Sequence, residues 1–253
     1  MNDPPLPTNS PIFDHHTPEP MKRLILPLLF TSLFTTAHAQ EASFRLGIKV
    51  APNFAWLRSD SKDLQSDGSR LGISFGLLGD LRLDDAGKYF FSTGIIYNNI
   101  GGTFKADGTY DIGGVSTVVK SEQDLKLRYL EIPLTVKLRT ITDKPLNLYA
   151  QVGTSAAFNL RARTDVTTTS TPGGTTTLED EDVIDDVALF KLGLVVGAGI
   201  EYSIASGPTL FGGLTYNNAF TNTLDSDAKK LSANGNKSKL FANYLEITLG
   251  VFL

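Results

Sequence analysis

From about residue 44 onward the chain keeps a period of two. In YLEIPLTVKL (129–138), Leu130, Ile132, Leu134, Val136 and Leu138 share one phase, and Tyr129, Glu131, Pro133, Thr135 and Lys137 share the other. Successive side chains of a strand point to opposite faces, so this spacing predicts a strand with one apolar and one polar face. The alternation recurs in seven more segments: 44–57, 70–83, 89–99, 146–160, 189–202, 209–220 and 243–253. In YFFSTGIIYNN (89–99) both phases carry apolar residues, so that segment's face stays unassigned. Each segment is long enough for a tilted membrane strand of ~9–11 residues.

The connections sort into two kinds. Residues 84–88, 139–145 and 203–208 make short turns, while 58–69, 100–124, 161–188 and 221–242 are long and rich in Ser, Thr, Asn, Asp and Gly. Long and short alternate along the chain, as an up-and-down barrel requires when all its long loops leave from one rim. The expected fold is all-β: an eight-stranded antiparallel up-and-down transmembrane β-barrel with short periplasmic turns and four long extracellular loops.

The less apolar face carries Gly47, Gly72, Gly76, Gly153, Gly193, Gly197, Gly199 and Gly250. An eight-stranded barrel has an interior only wide enough to be filled by side chains, so small residues belong inside and the Leu/Ile/Val stripe belongs against lipid. On that placement Glu131, Glu201 and Glu246 point inward, with Lys49, Arg82, Lys137 and Lys191 as candidate partners. These seven are expected to be structural charges that fill and stiffen a plugged lumen, since buried charge is tolerated when paired and hydrogen-bonded. Pro133 lacks a ladder donor and is expected to sit at a bulge or a local widening.

Composition narrows the chemistry. Met21-Lys22-Arg23, the apolar run LILPLLFTSLFTT and Ala37-x-Ala39 read as a signal peptide over 21–39, with residues 1–20 as an upstream extension and 40–253 as the barrel domain. All three histidines (15, 16 and 38) precede residue 40, and the chain has no Cys. The exported part therefore offers no catalytic His, no His/Cys metal site and no disulfide. It keeps 21 basic and 24 acidic residues, a balance that gives no reason to expect nucleic acid. No apolar run approaches the roughly 18 residues of a membrane helix, and without one only a closed barrel satisfies the backbone in lipid.

LGIKVAPNFAWL, RYLEIPLTVKLR, GLVVGAGIEY followed by GGLTYNNAFTN, and NYLEITLGVFL together resemble the outer-membrane beta-barrel domain family of Bacteroidetes, often called PorT-like. The likeness spans about residues 43–253. It implies an outer-membrane location more firmly than an activity. The closing LEITLGVFL looks like the insertion signal read by the barrel-assembly machinery, although it ends in Leu253 rather than an aromatic residue.

These readings set the functional expectation: a non-enzymatic, monomeric barrel of the cell outer membrane, without cofactor or metal, with a structural or surface-interaction role through its loops. Its partners would be outer-membrane lipid and lipopolysaccharide. The alternatives are a component of a secretion or gliding apparatus, a narrow channel, and a soluble lipocalin-like carrier whose apolar faces line a cavity. The acidic run LEDEDVIDD (178–186) is a weak candidate for divalent ions; its spacing is not that of an EF-hand loop.

Overall fold

A computed structural model describes residues 44–253 apart from 62–63, 113–114, 172, 206, 227, 229–230 and 232–237, with backbone alone at 107–112, 115–118 and 171. The expected leader and the extension before it lie outside the described residues. Among the described residues nine strands follow one another: β1 (Phe44–Ser59), β2 (Leu64–Arg82), β3 (Tyr89–Ile112), β4 (Val115–Arg139), β5 (Leu146–Thr171), β6 (Gly174–Asp182), β7 (Phe190–Ser203), β8 (Thr209–Ala219) and β9 (Leu240–Phe252). They pair antiparallel in the order β4-β3-β2-β1-β9-β8-β7-β5-β6, and a further β4–β5 ladder closes eight of them into a ring. The eight expected crossings are these eight. The ninth strand, β6, stands outside the ring and pairs with the far end of β5, beyond the point where β7 leaves it at Phe158.

The stripe predicted to face lipid does lie on the outside. Ile48, Leu77, Leu148, Val152, Leu214 and Leu249 are each more than half exposed, whereas Lys49, Ser74, Glu131, Lys137, Glu201 and Glu246 on the opposite phase are buried. In β3 the inward phase is Phe90, Ser92, Ile96, Asn98 and Ile100, which settles the face that the sequence left open. A lipocalin-like carrier would need the reverse arrangement at these levels.

The long connections are corrected by the structure. Most of 100–124 and 161–182 is not loop but strand: β3, β4 and β5 run 24, 25 and 26 residues. From Val115 to Arg128, β4 continues for about 45 Å of strand beyond the apolar band. In this upper part the faces exchange roles. Asp124, Lys126 and Arg128 point outward while Leu125, Leu127 and Tyr129 are fully buried; from Leu130 on, the apolar phase is outside.

A β-bulge makes the same exchange in β5. Tyr129 pairs with Asn159 but Arg128 pairs with Arg161, so Leu160 is an extra residue and the strand's phase flips there. Beyond it Ala162 and Thr164 are buried while Arg161 and Arg163 reach outward. The barrel thus has two storeys. The lower is wrapped in apolar side chains and filled with polar ones; the upper is wrapped in charge and filled by Leu57, Ile100, Phe104, Leu125, Leu127, Leu231 and Leu240.

Of the two expectations at Pro133, a bulge or a local widening, the bulge is absent and the ladder opens locally instead. Pro133 keeps its pairing with Ser155 on β5, and on the β3 side the ladder lapses between Thr93↔Leu134 and Ile96↔Glu131 without a change of register. The missing N–H therefore faces β3, and the strand tolerates it by losing two pairings rather than gaining a residue.

Candidate functional site

The interior of the lower storey is the densest polar constellation in the described chain, built by alternate residues of all eight ring strands. Nearest the short turns, Asp80 of β2 and Glu201 of β7 face three cations. Arg45 reaches Asp80 at 2.7 Å and Glu201 at 3.1 Å. Lys137 reaches the same two carboxylates at 2.7 and 3.3 Å, and Arg139 lies 3.5 Å from Glu201. The Ser92 hydroxyl donates to Asp80 at 2.5 Å. Aromatic rings sandwich the cations: Arg45 lies 4.6 Å over Phe90 and 4.5 Å over Phe252, and Lys137 lies 4.7 Å over Phe252.

At mid-height Lys49 and Glu246 pair at 2.5 Å, with Thr248 donating to the same carboxylate oxygen. Higher still, Glu131 accepts from Asn98, Asn217 and Tyr244 at 3.2, 3.0 and 2.7 Å. Lys191 stands 3.7 Å from Glu131, and its ammonium is 5.2 Å from the rings of both Tyr129 and Tyr244. Asn53, Ser74 and Ser155 extend the network to its neighbours. Above this tier the apolar core begins.

Six of the seven charges singled out from the sequence therefore meet inside: Glu131, Glu201, Glu246, Lys49, Lys137 and Lys191. Arg82 does not join them. It is the last residue of β2, half-buried at the short-turn rim, and Arg139 and Arg45 occupy the cationic positions around Glu201 instead. Sequence reasoning missed Arg45, Asp80 and Arg139 as site residues. Arg45 and Asp80 lie on the inward phase already assigned to their strands, so that phase was the available signal. Arg139 has none, because 139–145 reads as a turn in the sequence.

What remains of open space at mid-height is a cavity of about 50 Å³ between Lys49, Asp80, Thr135, Lys137, Gln151 and Glu246. That holds a few waters at most. With each carboxylate already engaged by cations or hydrogen-bond donors, the arrangement is suited to rigidity rather than to proton transfer on a substrate.

The acidic run disperses. Asp180 pairs with Arg163 at 2.7 Å and lies 3.8 Å from Arg161; Asp182 lies 3.8 Å from Arg163; Asp186 turns inward and accepts from the Leu231 amide. Among the described residues no three acidic side chains converge as a metal site. Beside the run, Lys126 holds the Asp165 carboxyl below its usual range, helped by the Asp180 amide.

The model of the outer membrane protein beta-barrel domain matches residues 38–225. The chain belongs to that family. Membership puts this barrel in the outer membrane, with its short turns in the periplasm and its long hairpins outside, as in other such barrels. Solved structures similar to this family member include Neisserial surface protein A (15% identity, 82% of this chain and 96% of that one, TM-score 0.42). OprG from Pseudomonas aeruginosa is 12% identical over 83% of this chain and 94% of that one, with a TM-score of 0.44. Ail from Yersinia pestis is 12% identical over 85% of this chain and 100% of that one, with a TM-score of 0.33. No curated protein matches the chain significantly.

Proposed function

We propose that this protein is a closed, non-enzymatic and monomeric outer-membrane anchor that displays an ordered β-sheet on the cell surface. The observation that carries the reading is the filling of both storeys: ion pairs occupy the barrel at membrane level, and a plug of fully buried Leu57, Ile100, Phe104, Leu125, Leu127 and Leu240 seals it above. A narrow channel would need a path through both. The sheet of β3–β6 extends beyond the plug and offers backbone and Thr-rich faces for contact with other surfaces. We also infer, from the likeness of YLEIPLTVKL and LEITLGVFL, a place in the Bacteroidetes PorT-like branch, without its secretion role.

Two measurements test the reading. In planar bilayers the reconstituted protein is expected to give no conductance steps; a steady open pore would overturn the closed lumen. In a deletion strain, the chain with Ala106 joined to Ser121 through an Asn-Gly turn is expected to insert normally yet fail to complement. These two residues face each other across β3 and β4, so the shortened hairpin keeps its register. Full complementation would place the role in the barrel instead.

A further inference from the structure

We propose that the outer face of β4 and β5, at the upper edge of the apolar band, binds the phosphate groups of a phosphorylated glycolipid in the outer leaflet. The argument starts from a pairing that a sheet avoids. Arg128 and Arg161 are direct cross-strand partners on the outward face. Like charges so placed repel unless something answers them. Arg128 has no carboxylate partner among the described residues, and Arg161 has a single contact, 3.8 Å from an Asp180 oxygen that lies closer to Arg163 at 2.7 Å.

A β-bulge brings the pair together. Without the extra residue Leu160, Arg161 would fall on the inward phase; the bulge turns it outward beside Arg128. The same bulge keeps Arg161 and Arg163 out of the apolar interior and turns Ala162 and Thr164 into it.

Height supplies the ligand's chemistry. Below the arginines come the lipid-facing residues Leu134, Phe158 and Leu160, all exposed, with Leu189 and Phe190 beside them on the next segment. Charge is sorted above. The next row is again basic (Lys126 opposite Arg163), and the row after it is acidic (Asp124 opposite Asp165). Each of those already has partners: Lys126 with Asp165, Arg163 with Asp180, and Asp124 with Arg70. Of these three rows, the one left with unsatisfied positive charge is the row nearest the hydrocarbon, where the headgroup phosphates of a bilayer lie. Two guanidinium groups side by side present forked donors that fit phosphate oxygens, and the apolar surface beneath accepts the acyl chains of the same molecule. A soluble anion would gain only the first of these.

The test uses the full-length protein in nanodiscs of phosphatidylcholine, titrated with bis-phosphorylated lipid A, the same lipid enzymatically dephosphorylated, or inorganic phosphate. Wild type is expected to retain phosphorylated lipid A, with each arginine contributing about 5-fold in affinity, so that R128Q/R161Q binds about 25-fold more weakly. R128K/R161K should recover part of the loss. Heat-modifiable migration reports folding. If the glutamine pair fails to fold, the wild-type preference for phosphorylated over dephosphorylated lipid decides alone. Equal binding of the two lipids, an unchanged R128Q/R161Q affinity, or competition by inorganic phosphate at the lipid's own concentration would each overturn the proposal.

Discussion

Replacing Glu131 with Gln should be the most damaging change of a single atom type in the lumen. Among the described residues Glu131 is the sole carboxylate within ion-pair distance of Lys191, and both side chains are sealed from water by the apolar core above. In Glu131→Gln the ammonium keeps only the two tyrosine rings at 5.2 Å. One amide end must also face groups that donate, because Asn98, Asn217 and Tyr244 all point hydrogens at the present carboxylate. Leaving a buried charge without its partner costs about 3–5 kcal/mol. The reverse change, Lys191→Met, leaves Glu131 with its three donors and should cost only about 1–2 kcal/mol. The double variant should then cost at least about 2 kcal/mol less than the sum of the singles, because the Met side chain no longer needs an anion. Urea unfolding in lipid vesicles, followed through the fluorescence of Trp56, the sole tryptophan of the chain, measures all four corners. If Glu131→Gln costs less than Lys191→Met, or if the two are additive, the pair does not carry the load assigned to it.

The two-storey interior makes Leu127→Ala a cavity mutation, expected to cost about 2–5 kcal/mol, whereas Leu134→Ala exchanges protein surface against lipid and should cost clearly less by the same unfolding assay. Gly250→Val drives a side chain into the Phe211 ring and the Ile48 carbonyl, and overpacking of about 1–3 kcal/mol or more should appear as loss of the heat-modifiable folded band. Asp165 has a depressed carboxyl, so its contribution to the β4–β6 sheet is present above the unfolded value of about 3.9 and is lost as pH falls through the lower folded value. The Asp180 amide donates to Asp165 at 2.8 Å, so its NMR shift should titrate in that acid range and stop titrating in Asp165→Asn. The effect on stability should be small, because the pair is largely solvated.

The membrane storey was legible in the sequence because its two faces differ so sharply. Leu130, Leu134, Val136 and Leu138 against Glu131, Thr135 and Lys137 need no further information than a period of two. The segment 89–99 was ambiguous because Phe90 and Ile96 are apolar yet inward; Phe90 stacks under Arg45 and Arg139, a role that hydropathy does not reveal. The upper storey looks like loop in the sequence for a related reason. In 115–128 the alternation persists, but it is carried by Leu125 and Leu127 on the phase that turns polar four residues later. A strand that changes solvent midway looks aperiodic to any reading that expects one face throughout. The bulge at Leu160 compounds this, since a single extra residue shifts every later side chain to the other face. The ion pairs were half legible: phase names the residues that enter the lumen, but Arg139 in place of Arg82 depends on where a turn ends.

Cysteine scanning along β4, in a chain that has no native cysteine, bears most directly on the claim that lipid meets the apolar stripe up to Leu130 and water meets the charged one above it. Spin labels placed singly at 122–138 in bilayers should show oxygen access at 130, 134, 136 and 138, and access to a water-soluble relaxant at 124, 126 and 128. The odd positions 125, 127, 129, 131, 135 and 137 should be shielded from both. Oxygen reaching the labels at 131, 135 and 137, or a water-soluble relaxant reaching those at 134 and 136, would mean that the strand stands the other way round and that the barrel described here is not the one in the membrane.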